Sequence, residues 1–244
     1  MEKEEPLIHL HNVWKSYHLD SVEVTALRGV NLDIYKGDFV SIQGPSGSGK
    51  STLMHLIGAL DIPTKGHIFL AGKDISKMSE SDLATIRGKK IGFIFQAFNL
   101  IPTLSSIENV TFPMIFQAKN SINKIARAKQ LLSEVHMSHR LYHLPNQISG
   151  GETQRVAIAR SLANDPDIIL ADEPTGNLDS KTGHEVMNMF VHLHKTHGKT
   201  IIIVTHDPYI ASYAKRTVNV IDGMIAHDHH AAGRFLWKGY NSKR

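Results

Sequence analysis

The stretch GPSGSGKST, residues 44–52, restricts the possible folds of this chain more than any other feature. It matches the pattern G-x-x-x-x-G-K-[ST] in full, an apolar run precedes it at 37–43, and leucines at helical spacing follow it. The pattern predicts a buried strand, a glycine-rich loop that surrounds phosphate groups with backbone amides, and a helix. The residues expected to bind a nucleotide are Gly44, Pro45, Ser46, Gly47, Ser48, Gly49, Lys50, Ser51 and Thr52.

Two of these loop residues have side chains with a specific predicted role. We expect Lys50 to reach the β- and γ-phosphates and the hydroxyl group of Ser51 to bind Mg²⁺. The sequence therefore predicts ATP and Mg²⁺ as ligands.

Two further apolar runs, DIILADE at 167–173 and KTIIIVTHD at 199–207, end in polar residues. Parallel sheets bind ligands at the carboxyl ends of their strands. Asp172 then suits a Mg²⁺ ligand, and Glu173 is placed to orient or deprotonate water. His206 follows its strand in the same way and is expected to contact the γ-phosphate.

Gln96 ends the predicted strand KKIGFIFQ at 89–96 and is a candidate to bind Mg²⁺ or water. Near the start of the chain, Tyr17 or Trp14 is expected to stack on adenine. Their spacing does not decide between these two aromatic residues.

The order of the patterns predicts an α/β protein with a mainly parallel sheet. Residues 7–35 alternate in polarity and favour an antiparallel β subdomain, with a further hairpin at 66–75. Residues 97–160 are typical of a helical insert that includes a clear amphipathic helix at 124–137. We expect one domain at 7–225 and a loosely held tail at 226–244.

Composition excludes several classes of protein. The 244 residues carry a net charge of +4 without a long run of like charges, so we expect no nucleic acid as a partner. There is no cysteine, which excludes disulfides and thiolate metal sites. The acidic amino-terminal stretch does not resemble a secretory signal, and no apolar run is long enough to span a membrane. Any membrane span is expected to come from another chain.

A second glycine stretch, at residues 149–152, has two possible explanations. Ser149 and Glu152 form an S-x-x-E capping box, which accounts for the start of a helix. The box does not account for Gly150 and Gly151, which suggest that backbone must approach another group closely. Bare amides at a helix start attract anions. Since the first loop already holds the γ-phosphate of one nucleotide, this stretch is expected to serve the nucleotide of a second copy.

Together, GPSGSGKST, Gln96, ISGGETQRVAIARSLANDPDIILADEPTGNLDS and IIIVTHD resemble the ATP-binding subunits of ABC transporters over residues 7–225. The resemblance implies a P-loop NTPase core and a head-to-tail dimer with two ATP molecules at its interface. It also implies a membrane permease as partner, and so a location at the cytoplasmic face of the membrane. The roles that it implies are Tyr17 for adenine stacking, Gln96 for the Q-loop, Ser149 to Glu152 for the signature, Asp172 for Mg²⁺, Glu173 for catalysis, Asp179 for the loop across the interface, and His206 for the switch histidine.

Two signature positions depart from the usual family residues. Ile148 replaces leucine and Glu152 replaces glutamine, and we expect neither change to abolish activity. The segments at 93–116 and 170–183 resemble the group that serves lipoprotein release, macrolide export and antimicrobial-peptide handling. An importer of small solutes such as amino acids is the alternative.

Three other functions fit the sequence less well. A DNA-repair or chromosome-organising ATPase needs a coiled-coil insert longer than the span from Gln96 to Ser149, and a translation factor normally carries two cassettes. A scaffold that binds nucleotide without hydrolysis is disfavoured by the intact catalytic residues. Six histidines at 192, 194, 197, 227, 229 and 230 invite a metal site, but no second motif supports one.

Overall fold

The computed structural model describes residues 5–19, 22–116 and 123–230. Within these residues the strands, in chain order, are β1 (Ile8–Leu19), β2 (Val22–Ile34), β3 (Phe39–Gln43), β4 (Lys65–Leu70), β5 (Lys73–Asp74), β6 (Ile91–Ile94), β7 (Ile168–Asp172), β8 (Thr200–Val204), β9 (Arg216–Ile221) and β10 (Met224–His230). The α-helices are α1 (Lys50–Ile57), α2 (Glu80–Lys90), α3 (Ser106–Ile115), α4 (Lys124–Glu134), α5 (Gly150–Ser161), α6 (Ser180–His197) and α7 (Pro208–Ala211). Two short 3-10 turns, Ser138–Arg140 and Pro145–Gln147, lie between α4 and α5.

The strands form two sheets. The first is antiparallel, in the order β2-β1-β4-β5, and the second has the order β10-β9-β3-β8-β7-β6. In the second sheet every neighbouring pair from β9 to β6 is parallel, and only β10 runs antiparallel to its neighbour. The α/β fold with a mainly parallel sheet and an amino-terminal antiparallel sheet is confirmed.

The central strands are apolar throughout because each has a hydrophobic core on both of its faces. In β8, Ile202 and Val204 pack with the antiparallel sheet and α1, whereas Ile201 and Ile203 pack toward α5 and α6. All four side chains are at most 1% exposed. Burial on both faces is the property that makes a parallel strand a continuous apolar run rather than an alternating one.

Helix α2 was not expected from the sequence, which predicted Lys89 and Lys90 as part of a strand. In the structure both residues end α2, and the strand β6 begins after them. The side chain of Ser79 caps this helix by accepting a hydrogen bond from the backbone N–H of Asp82. Only Leu83 is buried on α2, so no apolar stripe marks the helix in the sequence.

The amino-terminal part of the expected tail is also different in the structure. Residues 226–230 continue β10, which pairs with β9 at the edge of the sheet. The guanidinium group of Arg216 binds both carboxylate oxygens of Asp228, at 2.8 and 2.6 Å. The exposed side chains of this edge strand explain why its sequence lacks a strand pattern. Residues 231–244 lie outside the described residues, and the predicted tail there stays a prediction.

Candidate nucleotide-binding and catalytic site

The sheet order brings the candidate residues to one edge. Strands β3, β8, β7 and β6 are neighbours and run parallel, so their carboxyl ends lie side by side. The glycine-rich loop follows β3, Asp172 ends β7, His206 follows β8 by two residues, and Gln96 follows β6 by two residues. Residues from four separate parts of the sequence thus meet at the edge where such sheets bind ligands.

The glycines of the loop have distinct structural roles. Gly44, Gly47 and Gly49 have φ angles of 153°, 77° and 101°, which favour glycine. A Cβ atom at Gly44 would lie 2.1 Å from the carbonyl oxygen of Val220, and one at Gly49 would lie 2.6 Å from that of Ala26. A Cβ at Gly47 would meet no atom within 4 Å. Gly44 and Gly49 therefore fit the loop to its neighbours, while Gly47 faces open space beside exposed Pro45 and Ser46.

The chemistry of the loop fits a phosphate group. Helix α1 begins after Gly49, which has no side chain to cap the first amides, so these N–H groups can bind an anion. The ammonium group of Lys50 folds back to the carbonyl oxygens of Gly44, at 2.9 Å, and Pro45, at 2.7 Å. The buried hydroxyl oxygen of Ser48 has no hydrogen-bond partner in the described part of the chain. The ammonium group of Lys50, the uncapped amides of α1 and the unpaired hydroxyl group of Ser48 therefore belong to one short segment of the chain.

Asp172 is placed to bind a cation near the glycine-rich loop. Its carboxyl group is half-buried, and this burial raises its pKa. The negative charge of Glu173 raises the pKa further, while His55 and Lys50 lower it. The carboxylate therefore lies in the field of the loop lysine, and exposed Ser51 follows that lysine in α1. Oxygen ligands from Asp172, Ser51 and Gln96 are of the type that Mg²⁺ binds.

Glu173 is held on both of its carboxylate oxygens by the segment after β8. Its Oε1 lies 2.6 Å from Nδ1 of His206 and accepts the backbone N–H of the same residue at 3.0 Å. Its Oε2 accepts the hydroxyl group of Thr205 at 3.2 Å. Glu173 has a φ angle of 43°, an unusual value for a residue other than glycine, and its N–H donates to Val204. The strained backbone of Glu173 and the hydrogen bonds from Thr205 and His206 thus hold its carboxylate against the segment that follows β8.

The exposed Gln96 lies against the loop that follows Glu173. The side-chain amide of Asn177 donates to the carbonyl oxygen of Gln96 at 2.8 Å. A Cβ atom at Gly176 would lie 2.9 Å from Nε2 of Gln96, so the two residues are in close contact. A movement of Gln96 would therefore displace the loop that follows the catalytic candidate Glu173.

The two aromatic candidates near the start of the chain have different surroundings. The hydroxyl group of Tyr17 donates to Asp61 at 3.3 Å, and a side-chain hydrogen bond with Thr52 also acts on it. Burial raises the pKa of Tyr17. Trp14 instead donates to Asn12 at 3.1 Å. Contact with Thr52, at the end of the glycine-rich loop, favours Tyr17 over Trp14 as the residue near a bound base.

The second glycine stretch forms the start of α5. The N–H of Ser149 donates to Glu152 Oε2 at 2.8 Å, and the N–H of Glu152 donates to the Ser149 hydroxyl oxygen at 3.3 Å. The predicted capping box is therefore present. Hydrogen bonds from Ser149 and from Arg140 lower the pKa of Glu152 to about 2.

The two glycines of this stretch differ. A Cβ atom at Gly151 would lie 2.4 Å from Cγ2 of Thr182 in α6, so packing within the chain requires glycine there. A Cβ at Gly150 would have only ordinary contacts, at 3.8 Å to Leu178 and 3.9 Å to Phe98. Gly150 is exposed and has no steric reason within the described residues to be glycine.

Asp179 follows in the loop between β7 and α6. It is exposed and caps α6, where its carboxylate oxygens accept the N–H and the hydroxyl group of Thr182 at 3.0 and 2.6 Å. These hydrogen bonds lower the pKa of Asp179. Thr182 therefore joins the Asp179 cap to the close contact with Gly151, and the two predicted interface segments are neighbours in one chain.

The sequence patterns do not mark Thr205 or Gln154 as functional residues. Thr205 shows no signal apart from a hydroxyl group directly after an apolar run. Gln154 is a polar residue among the buried positions of α5, and its Nε2 donates to the carbonyl oxygen of Pro174 at 2.6 Å. Helical spacing places Gln154 at a core position of α5, and a polar side chain at such a position is the feature by which the sequence distinguishes it.

The histidines do not form a metal site in the described part of the chain, where no three His, Asp or Glu residues come close enough to hold an ion. His194 is buried, packs on Phe39 and binds the carbonyl group of Lys199. No helix at 5–19, 22–116 or 123–230 has the length and hydropathy to cross a membrane.

Comparison with known proteins extends these observations. A family model described as ABC transporter matches residues 27–176. An uncharacterised ABC transporter ATP-binding protein of Thermotoga maritima is 51% identical over 219 residues, which are 90% of this chain and 93% of that protein. The macrolide export ATP-binding/permease protein MacB of Syntrophobacter fumaroxidans is 45% identical over 229 residues, which are 93% of this chain and 32% of that larger protein.

A solved structure is also similar. It is the ATP-binding cassette MJ0796 of Methanocaldococcus jannaschii, in a dimeric post-hydrolysis state bound to ADP and Pi. The TM-score is 0.86 at 44% sequence identity, and the match covers 93% of this chain and all of the other.

Proposed function

This chain belongs to the ABC transporter family of ATP-binding proteins and hydrolyses ATP with Mg²⁺ as cofactor, and from that premise we propose that Glu173 activates the attacking water. One observation carries this proposal. The carboxylate of Glu173 stands at the edge of the sheet beside the glycine-rich loop, fixed by His206 and Thr205. A fixed carboxylate can orient water for in-line attack without rearranging during the reaction.

The other residues of the site bind different parts of the nucleotide and its Mg²⁺ ion. Backbone amides at 45–52 and the ammonium group of Lys50 bind the phosphates, and Tyr17 stacks on the base. Ser51, Asp172 and Gln96 would hold Mg²⁺, which, when bound, neutralises charge on the phosphate oxygens. His206 keeps Glu173 in place, and its side chain is 76% exposed, so its ring can contact a γ-phosphate.

The signature segment completes the site of a second copy. Ser149 and Gly150 are exposed at the amino end of α5, where the hydroxyl group of Ser149 and the amide of Gly150 can bind an anion. Asp179 lies in the neighbouring exposed loop. We propose a head-to-tail dimer with two ATP molecules, each held by the loop of one copy and the signature of the other, as the dimeric state of MJ0796 supports. Loss of the γ-phosphate then opens the dimer.

A groove whose lining includes three phenylalanine side chains offers a place for the permease. It has a volume of about 790 Å³, and its lining includes Phe93, Phe95, Asn99 and Phe116. Phe116 is 71% exposed, and Phe112 beside it is 38% exposed. Exposed aromatic side chains at the rim of a groove are typical of protein interaction sites. Because Phe95 precedes Gln96, a permease in this groove would act directly on the Q-loop.

The transport role follows from the similarity to MacB. We propose that the chain serves export, lipoprotein release or antimicrobial-peptide handling, and that it associates peripherally with its permease at the cytoplasmic face of the membrane. Energising a small-solute importer is the alternative. Identification of the membrane protein that co-purifies with the chain would distinguish the two.

The variant Glu173→Gln tests the catalytic proposal. It should bind ATP, lose about 100-fold or more of its hydrolysis rate, and run as a dimer on size exclusion with ATP. Normal phosphate release by this variant would contradict the role of Glu173. A variant that stays monomeric at saturating ATP would contradict the proposed dimer.

A further inference from the structure

Gln154 occupies an unusual position in the core. It lies on α5, five residues after Ser149, and its side chain is 0% exposed. Its Nε2 donates to the carbonyl oxygen of Pro174 at 2.6 Å. Pro174 is itself buried and directly follows Glu173. One buried hydrogen bond therefore joins the signature helix to the loop of the catalytic carboxylate.

The other end of the same amide is unpaired. Oε1 of Gln154 is buried and has no hydrogen-bond partner among the residues that the structure describes. A buried acceptor without a donor destabilises a folded protein, and an apolar side chain of similar length would avoid this cost. The neighbours Thr153, Val156 and Ala157 on α5 are also buried. The hydrogen bond to Pro174 and the unpaired Oε1 have opposite effects on stability, so a net gain in stability does not account for glutamine at this place.

The hydrogen bond acts on a backbone that needs support. Glu173 has a φ angle of 43°, a strained value for a side chain of this size. Its own N–H and carbonyl groups are held by Val204 and Gly176. Gln154 holds the next carbonyl group along the chain, and proline at 174 fixes φ there. The direction of the peptide that follows Pro174 is thus set from α5.

We propose that Gln154 is a positioning residue that aligns Glu173 and transmits the state of the signature helix to it. The proposal rests on the role of Glu173 given above. Because a helix is stiff over one and a half turns, a shift of Ser149 on binding the partner's nucleotide moves Gln154, and with it the carbonyl group of Pro174. Hydrolysis is thereby favoured once the second half-site is engaged.

The chain offers a matched control for a purely structural link. Arg155, the next residue on α5, binds Glu185 of α6 at 2.6 Å. This ion pair also ties α5 to a neighbour, but it does not touch the loop of Glu173. The variant Glu185→Gln removes the ion pair and should lower the melting temperature while kcat stays within about twofold.

The main test variant is Gln154→Met, which keeps the length of the side chain and removes both polar atoms. We expect a shift in Tm below about 4 °C, because removal of the unpaired Oε1 offsets the carbonyl oxygen of Pro174 that loses its donor. We expect kcat to fall about 10- to 100-fold with KM for ATP unchanged. Wild-type kcat in this variant, or a loss of kcat that accompanies a Tm drop well above about 4 °C, would overturn the proposal.

Gln154→Glu provides a second variant if the methionine variant does not fold. A buried carboxyl group can donate to Pro174 only while it is protonated. Its kcat relative to the wild type should therefore rise as the pH falls from about 8 to about 6. A ratio that does not change with pH would overturn the proposal.

Glu173→Gln, assayed in parallel, separates this inference from the proposed function. If Glu173→Gln is inactive and Gln154→Met is fully active, only the positioning role fails. If Glu173→Gln hydrolyses ATP normally, the proposed function fails.

Discussion

His206 contacts Glu173 through two atoms of one residue. Both Nδ1 and the backbone N–H of His206 lie within 3.0 Å of the same carboxylate oxygen. The side chain of Glu173 is 18% exposed, whereas that of His206 is 76% exposed. The histidine thus holds a sheltered carboxylate with one side of its ring and presents the rest of the ring to the site.

His206→Ala should slow hydrolysis more than it weakens ATP binding. It removes the ring that fixes Glu173, so we expect kcat to fall about 100-fold with little change in ATP affinity. Thr205→Val, which removes the bond to Oε2 and the bond that the hydroxyl oxygen accepts from the backbone N–H of Asp207, should have a smaller effect. Steady-state kinetics and ATP titration measure both quantities. Equal losses for the two variants would show that the histidine ring has no special part.

Ser149 and Ser105 allow the capping role of the signature serine to be separated from its proposed role at the interface. Each starts a helix, and each donates its backbone N–H to a glutamate three residues later, at 2.8 Å. Substitution of either by alanine should cost about 1 kcal/mol of stability. In a Glu173→Gln background, only the change at Ser149 should weaken ATP-dependent dimerisation on size exclusion.

Ser149→Arg is the stronger form of this test. We expect it to leave ATP binding to the monomer nearly intact and to abolish dimerisation and hydrolysis, because a bulky cation replaces the small hydroxyl group at the half-site. Dimerisation of Ser149→Arg with ATP would contradict the proposed site.

Gly151→Ala should destabilise the fold by about 1–3 kcal/mol because its methyl group would overlap Cγ2 of Thr182. Thr182→Ser removes that methyl group and keeps the hydroxyl group that binds Asp179. The double variant should therefore recover much of the lost stability in thermal unfolding. No recovery would mean that another contact requires glycine at 151.

Gly150→Ala is expected to behave in the opposite way. A methyl group at 150 meets no atom closer than 3.8 Å, so the stability should be unchanged or slightly higher. Hydrolysis should fall if an anion of the partner's nucleotide approaches this backbone. Full activity of Gly150→Ala would argue against such an approach.

The capping box should make stability depend on acid. Hydrogen bonds lower the pKa of Glu152 from its ordinary value of 4.5 to about 2. The ionised form is favoured in the folded state, so its stabilisation is present above about pH 4.5 and is lost as the pH falls toward about 2. Glu152→Gln removes this titration. Its melting temperature should fall less than that of the wild type between about pH 6 and about pH 3.

The strands and loops of the site were predictable because burial leaves a direct mark on sequence. Apolar runs such as 168–171 and 201–204 are buried on both faces, and polar residues that follow them must lie at the sheet edge. The capping box was predictable for a different reason, because its two residues, Ser149 and Glu152, lie close together in the sequence. The roles given to the site residues stay predictions.

Other features were not predictable from local pattern. Helix α2 has one buried side chain, and β10 has none, so neither shows a period. The contact of Gly151 with Thr182 and that of Gln154 with Pro174 join elements far apart in the chain. From the sequence, the glycine pair suggested close approach to a ligand; for Gly151 the structure provides a neighbour in the same chain.

The sheet order also has a kinetic consequence. The N–H of Gly37 donates to the hydroxyl group of Thr200, 163 residues away, where β8 aligns with β3. Such pairing of distant segments is slow, because the entropy cost of closing a long loop precedes the stabilisation by contacts. We therefore expect the carboxylate, the histidine and the phosphate loop to come together late in folding. In a refolding experiment, recovery of ATP hydrolysis should lag behind recovery of helical signal.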